Sequence, residues 1–237
     1  MRLNKLNSFC SAENYSVGDG FLAALLLMVN FFLLFISGLL LKNLDIYVGI
    51  YVNILLIILV LFFLYIRKQN ISSIGISKQS LFYSTFVGFF VGALYFFLIR
   101  KHYDIAVLDG LSILTEHFIF VFIFNLLLVS ITEELIFRGF VQTRMSFVIK
   151  SKLISLLLVA IIFSLSHVPF HAASQGVSLF EYVNHFGVFY FSKLIMQHIV
   201  LVLLYRAFNS IAGPITYHTM VNLAALTYEN WNWSNSI

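Results

Sequence analysis

The sequence predicts an all-α polytopic membrane protein of about seven transmembrane helices, with an eighth if residues 169–190 hold a short re-entrant or interfacial piece. Three observations predict it. Of the 237 residues, 61% are hydrophobic and 10% charged, and the mean hydropathy is +0.96. A soluble domain needs far more polar surface, whereas helices facing lipid need almost none. The apolar residues fall in runs near the ~20 residues that cross ~30 Å of hydrocarbon at 1.5 Å per residue. Finally, twelve of the 14 Lys and Arg fall at or between the ends of these runs, so the net charge of +4 reports orientation and not a nucleic-acid footprint. Nucleic acid is thereby excluded as a partner, and the lipid bilayer is implied as one. The single cysteine, Cys10, allows no intramolecular disulfide and no thiolate zinc cluster.

Residues 1–20 form a polar N-terminal segment, and no small-residue cleavage site follows the apolar run after it. The first run therefore reads as a retained span and not a signal peptide. Spans are expected at 21–41 and 46–66, interrupted by Lys42, Asn43 and Asp45. A loop at 69–80, rich in Ser, Asn and Lys, leads to a third span at 81–99, stopped by Arg100 and Lys101. The fourth begins near Leu111 and continues to the Arg138-Gly139 step. It is longer than one crossing needs, which implies tilt or overshoot. A basic turn at 144–152 precedes a fifth span at 153–168, ended by Pro169, and a sixth at 186–205. The seventh starts at Pro214, a favoured first helical position, and reaches residue 228 before a tail at 229–237. No repeat or linker divides the single transmembrane domain, 21–228.

Lys and Arg are retained on the cytoplasmic side. Arg2, Lys5, Arg67, Lys68, Lys78, Arg144, Lys150, Lys152 and Arg206 make nine on one set of loops, against Lys42, Arg100 and Lys101 on the other. The N-terminus is expected in the cytoplasm, and seven spans then place the C-terminus outside.

Ionisable residues inside spans cost about 2.5–3.5 kcal/mol each on insertion scales, which makes them the default functional candidates. The first cluster is Thr132-Glu133-Glu134-Leu135-Ile136-Phe137-Arg138. Glu134 and Arg138, at i and i+4, share a face and can pair, while Glu133 points about 100° away. An interfacial ion pair would explain two of these residues but not the second carboxylate. The second cluster runs from Phe163 to His167, also i and i+4. If spans four and five form a hairpin turning near Lys150, Glu133 lies 17 residues before the turn and His167 lies 17 after it, at one depth. The third holds His218 and Asn222, spaced to face one cavity together or to bridge helices by hydrogen bonds. His218 is only about 6 Å along the helix from Pro214, so reaching Glu133 requires residues 209–213 to dip into the membrane. His102, His117, His171, His185 and His198 have no partner at helical spacing, His171 being separated from His167 by Pro169. There is no His-Glu-x-x-His, phosphate loop or Gly-x-Ser-x-Gly elbow.

At these residues the chain resembles the CPBP family of intramembrane proteases, also called the CAAX prenyl protease or Abi family, in its bacterial type. Glu133-Glu134-x-x-x-Arg138, Phe163-x-x-x-His167 and His218-x-x-x-Asn222 stand in the family's order. The resemblance covers residues 111–226; the first 110 match only as apolar spans.

The resemblance implies an intramembrane endopeptidase of the glutamate type. Glu133 with His167 would activate a water against a peptide carbonyl. His218 and Asn222 would donate to the oxyanion. Glu134 and Arg138 would orient Glu133 and its helix. A metal-independent site is expected; the alternative is zinc on Glu133, His167 and His218, a three-ligand set with an open fourth position. The implied substrate is a small peptide or membrane protein, in bacteriocin or pheromone maturation or in self-immunity, at the bacterial cell membrane. Nothing in the sequence reports on a prenylated ligand. A non-catalytic membrane scaffold or regulator is the competing reading, and a transporter ranks third because intramembrane carboxylates also mark ion paths.

Overall fold

The computed structural model describes residues 15–78, 80–102 and 118–234, and all regular structure among them is helical. Helix α1 (Val17–Leu44) begins at Ser16, whose backbone N–H donates to Asp19 Oδ2 at 2.6 Å. It ends at Asp45 in the left-handed region, φ 53°. Helix α2 (Gly49–Ile66) runs back beside it. Arg67 Nε and Gln69 Nε2 then donate to Asp19 Oδ1 at 2.9 and 2.8 Å, tying the end of α2 to the start of α1.

The loop expected at 69–80 contains a single 3₁₀ turn, Ile71–Ile74, capped by Asn70 Oδ1 accepting from the Ser72 N–H. Its Ile74 is fully buried against Gly139, where a Cβ would come within 2.9 Å of the Ile74 carbonyl. Helix α3 is Leu81–His102.

Helix α4 spans residues 118–148 without a break, but it is not uniform. Two π-helical stretches, Asn125–Ser130 and Leu135–Val141, flank the short α-turn Ile131–Glu134. The expected start of this span at 111–117 lies outside the described residues, as do residues 1–14 and 235–237. Arg144, expected in a basic turn, instead lies inside α4 and is fully buried. Its guanidinium donates to the Gly139 carbonyl, Thr143 Oγ1, Gln69 Oε1 and Ser73 Oγ, and covers the rings of Tyr15 and Phe140. Four hydrogen bonds from the two terminal nitrogens, with aromatic rings beside the guanidinium, replace much of the water that the residue gives up.

After a turn at 149–151 come α5 (Lys152–Ser166) and, directly beyond His167, α6 (Val168–Gln175). Pro169 does end the fifth span's straight run, but it does so by starting a second helix, since a first-turn proline has no N–H to lose. Helix α7 (Leu179–Phe208) is kinked at Gly187, whose φ of 66° an L side chain rarely adopts. Helix α8 is Ala212–Ser234.

Five stretches are long and apolar enough to cross a membrane: Val17–Leu44, Gly49–Ile66, Leu81–Leu98, Lys152–Gln175 and Leu179–Phe208. The chain is an integral membrane protein. The two helices that do not qualify on length and composition among the described residues, α4 and α8, carry the first and third polar clusters. Large apolar side chains face outward, with Tyr65 80%, Phe82 74% and Phe189 86% exposed, as a lipid-facing surface requires.

Two packing relationships position the polar residues. Leu26, Leu56, Val60, Ile136, Phe140 and Phe163 are each at most 1% exposed and join α1, α2, α4 and α5 into one core. On the other side, α3 lies against α8 through Gly88 and Gly92, a small-xxx-small face. A Cβ on Gly92 would approach Met220 Cβ to 2.7 Å, and one on Gly213 would approach the Ser84 carbonyl equally closely. The turn before α8 is enclosed: Ser210 and Ile211 are buried, the Ile211 N–H donates to the Gly75 carbonyl at 3.0 Å, and the Gly213 N–H donates to Ser84 Oγ at 2.8 Å.

Candidate active site

The α-turn between the two π stretches of α4 presents both glutamates. Glu134 and Arg138 are each 0% exposed, with Arg138 Nε 3.0 Å from Glu134 Oε2. The contact is an ion pair and not an aligned hydrogen bond, since neither atom meets hydrogen-bond geometry. The guanidinium also lies 4.3 Å from the centroid of the Phe163 ring, which holds a desolvated cation over a π-face.

Glu134 has a second partner. Its Oε1 accepts from His218 Nδ1 at 2.7 Å. The neighbouring positions of α8 also meet α4: Asn222 Nδ2 reaches Asn125 Oδ1 at 3.4 Å, and Thr219 Oγ1 donates to Ser130 Oγ at 3.0 Å. Three contacts thus zip α8 antiparallel to α4. Since a carboxylate can only accept, the His218 ring carries a proton on Nδ1, and its Nε2 is turned to Glu133, 3.8 Å from Oε2.

Glu133 points about 100° around the helix from Glu134. Its side chain is 29% exposed, while Oε2 is buried with no hydrogen-bond partner. It lines a cavity of about 430 Å³ whose walls come from α1, α2, α4 and the α5–α6 junction. His167 lines the same cavity at that junction. Its Nδ1 is 3.0 Å from the Phe163 carbonyl, an acceptor, so this ring is also protonated on Nδ1 and its Nε2 carries the lone pair. Phe163 consequently touches both ends of the arrangement, Arg138 over its face and His167 edge-on at 5.0 Å.

Sequence spacing overlooked several cavity residues. His171 lines it as well, because α6 carries the helix past Pro169, and its ring stacks on Tyr182. Asn30 and Ser37 on α1 and Asn53 on α2 are polar residues in otherwise apolar spans, the same signal that selected Glu133. Asn125 and Ser130, the α4 partners of α8, carry it too. His198, by contrast, is fully buried and donates to Gln142 Oε1 at 3.1 Å, and Gln142 in turn donates to Ser146 and Ser155. That cluster fastens α7 to α4 and α5. His185 lies against Phe186, and the side chains of His102 and His117 are outside the description.

Among the described residues, no three His, Cys, Asp or Glu side chains converge closely enough to hold a metal ion. His218 Nε2 and Glu133 Oε2 approach each other, but no third donor completes a set with them, so the geometry does not fit a three-ligand zinc centre. What the arrangement offers is a carboxylate oxygen that accepts no hydrogen bond, an imidazole lone pair and a cavity that both residues line.

A family model described as type II CAAX prenyl endopeptidase Rce1-like matches residues 115–224, from before the first π stretch of α4 to beyond Asn222. No curated protein and no solved structure matches the chain.

Proposed function

We propose, from the Rce1-like type II CAAX prenyl endopeptidase domain carried by residues 115–224, that this membrane protein is an intramembrane endopeptidase of the glutamate type. Glu133 takes a proton from a water that attacks a peptide carbonyl, with the His167 lone pair orienting that water. Glu133 later returns the proton to the leaving amine. The oxyanion sits beside His218 and Asn222. Because the Nδ1 proton of His218 is committed to Glu134, donation from Nε2 requires the doubly protonated ring. Asn222 keeps a second amide hydrogen beyond the one directed at Asn125. Glu134 and Arg138 hold His218 in place rather than meeting substrate. The water is held by side chains alone in this reading, with no resident metal.

The observation that carries the proposal is the buried Oε2 of Glu133, which accepts no hydrogen bond and has only His218 Nε2 nearby at 3.8 Å, in the wall of a cavity that His167 shares. A carboxylate serving structure in apolar surroundings would be paired, because leaving it unpaired is costly. Substrates are small peptides or membrane proteins, in bacteriocin or pheromone maturation or in self-immunity. We place the N-terminus in the cytoplasm of a bacterial cell and count α4 and α8 with the five long apolar stretches as seven spans. Purified protein in liposomes, offered a mixture of quenched-fluorescent peptides, tests the reading. Native chain should cleave and Glu133→Gln should not; equal turnover by both would sink it.

A further inference from the structure

Asn30 and Ser37 sit on α1, seven residues apart and therefore on one face, with Leu34 between them; all three line the cavity of Glu133 and His167. Asn30 is 3% and Ser37 1% exposed. Neither Asn30 Nδ2 nor Ser37 Oγ has a hydrogen-bond partner. This is unusual within the same molecule. Thr132, Ser164 and Ser166 each turn the hydroxyl back to a carbonyl three or four residues earlier, the default for a helix in an apolar medium. Ser37 does not, although such a bond is always within reach. Nor do the two residues bridge helices, the other common use of polar groups in membrane spans.

We infer that Asn30 and Ser37 hold the main chain of an extended substrate segment across from Glu133, and that α1 positions the scissile peptide. The inference rests on the peptidase reading and extends it to the substrate's binding mode. Seven residues of helix span about 10.5 Å, which matches about three residues of extended chain. Asn30 Nδ2 donates to one carbonyl of that segment, and Ser37 pairs with a main-chain group about three residues away. The remaining wall is mostly apolar, including Leu34, Val52, Ile136 and Phe170, with Asn53, Thr132, Ser166 and His171 among them, and contains no Lys or Arg. The segment bound is accordingly uncharged and apolar. Asn30, Leu34, Ser37 and Val52 lie on α1 and α2, outside residues 115–224, so this part of the substrate-holding wall is separated along the chain from Glu133 and His167.

The test measures binding and stability together, using the full chain in nanodiscs. The probe is the capped tetrapeptide acetyl-Ala-Leu-Ala-Leu-amide, with a copy N-methylated at its central amides. Native chain should bind the parent peptide, and Asn30→Leu and Ser37→Ala should each weaken binding about tenfold, one hydrogen bond's worth. The N-methylated copy should bind native chain weakly. The midpoint of thermal unfolding should hold or rise in both variants, because an unsatisfied polar atom has been removed. A residue that braces helices would give the opposite shift. No binding by native chain, unchanged affinity in both variants, or lost affinity with a lowered unfolding midpoint in both would each overturn the inference. Glu133→Gln separates the readings: if it processes peptide like native chain while binding still depends on Asn30 and Ser37, the role of Glu133 as base falls and this inference stands. If it abolishes cleavage while both α1 variants bind like native chain, the reverse holds.

Discussion

Glu134 accepts the Nδ1 proton of His218 at 2.7 Å while its other oxygen faces Arg138 at 3.0 Å. One fully buried carboxylate thus joins residues 84 positions apart in sequence and sets the tautomer of an imidazole whose far nitrogen points to Glu133. Removing its charge leaves Arg138 as an uncompensated buried cation, a loss typically about 3–5 kcal/mol. Glu134→Gln should therefore lower the unfolding midpoint and membrane abundance together. Glu133→Gln should keep both while losing cleavage, since Oε2 accepts no hydrogen bond that the change would break. Equal thermal stability of the two variants in one detergent would contradict this division of roles.

Both site histidines donate from Nδ1, His167 to the Phe163 carbonyl and His218 to Glu134. Nitrogen-15 spectra of histidine-labelled protein should show two rings protonated at Nδ1, and each should vanish singly in His167→Gln or His218→Gln. His198 should show the other pattern, because its Nε2 faces the Gln142 carbonyl oxygen. An Nε2-protonated His167 would remove the lone pair assigned to orienting water.

The α3–α8 contact supports the site from behind. Gly92→Leu places a side chain where a Cβ alone would stand 2.7 Å from Met220 Cβ, and overpacking of this kind commonly costs about 1–3 kcal/mol. Displacing α8 moves His218 and Asn222 away from α4. Turnover should fall more than ten-fold in Gly92→Leu, whereas Leu94→Ala on the exposed side of α3 should leave it near native. Matching losses in the two variants would show that α3 is not the buttress.

The distribution of Lys and Arg predicts the orientation, and it still stands at eight to three with the buried Arg144 set aside. A reporter fused after Ile237 should read as external, and one inserted at Lys150 as cytoplasmic. An external signal at Lys150 would reverse the sidedness of the Glu133 cavity.

Exhaustive chelation should leave turnover intact, and zinc addition should not raise it. If water acidity came from an ion, activity would track metal content. Stoichiometric zinc in active preparations, lost with activity in Glu133→Gln, would refute side-chain-only activation.

The helical membrane architecture was readable from residue order because hydropathy is local: a run such as 46–66 is apolar enough to declare itself without reference to any neighbour. Polar residues inside such runs declare themselves by their cost, which is how Glu133, Glu134, Arg138, His167, His218 and Asn222 could be singled out, and why Asn30 and Ser37 could have been. Which of these residues meet was a different matter. The π stretches on either side of Ile131–Glu134, the burial of Arg144 against Tyr15 and Gln69, and the continuation of the helix past Pro169 to His171 all depend on contacts between segments far apart in sequence. The pairing of Glu134 with His218 is the clearest case. Helical periodicity offers Glu134 only Arg138, four residues on, because spacing reports neighbours on one helix. The second partner comes from α8, brought within 2.7 Å by glycine packing against α3 and by the Asn125 and Ser130 contacts, and only the packed helices decide that.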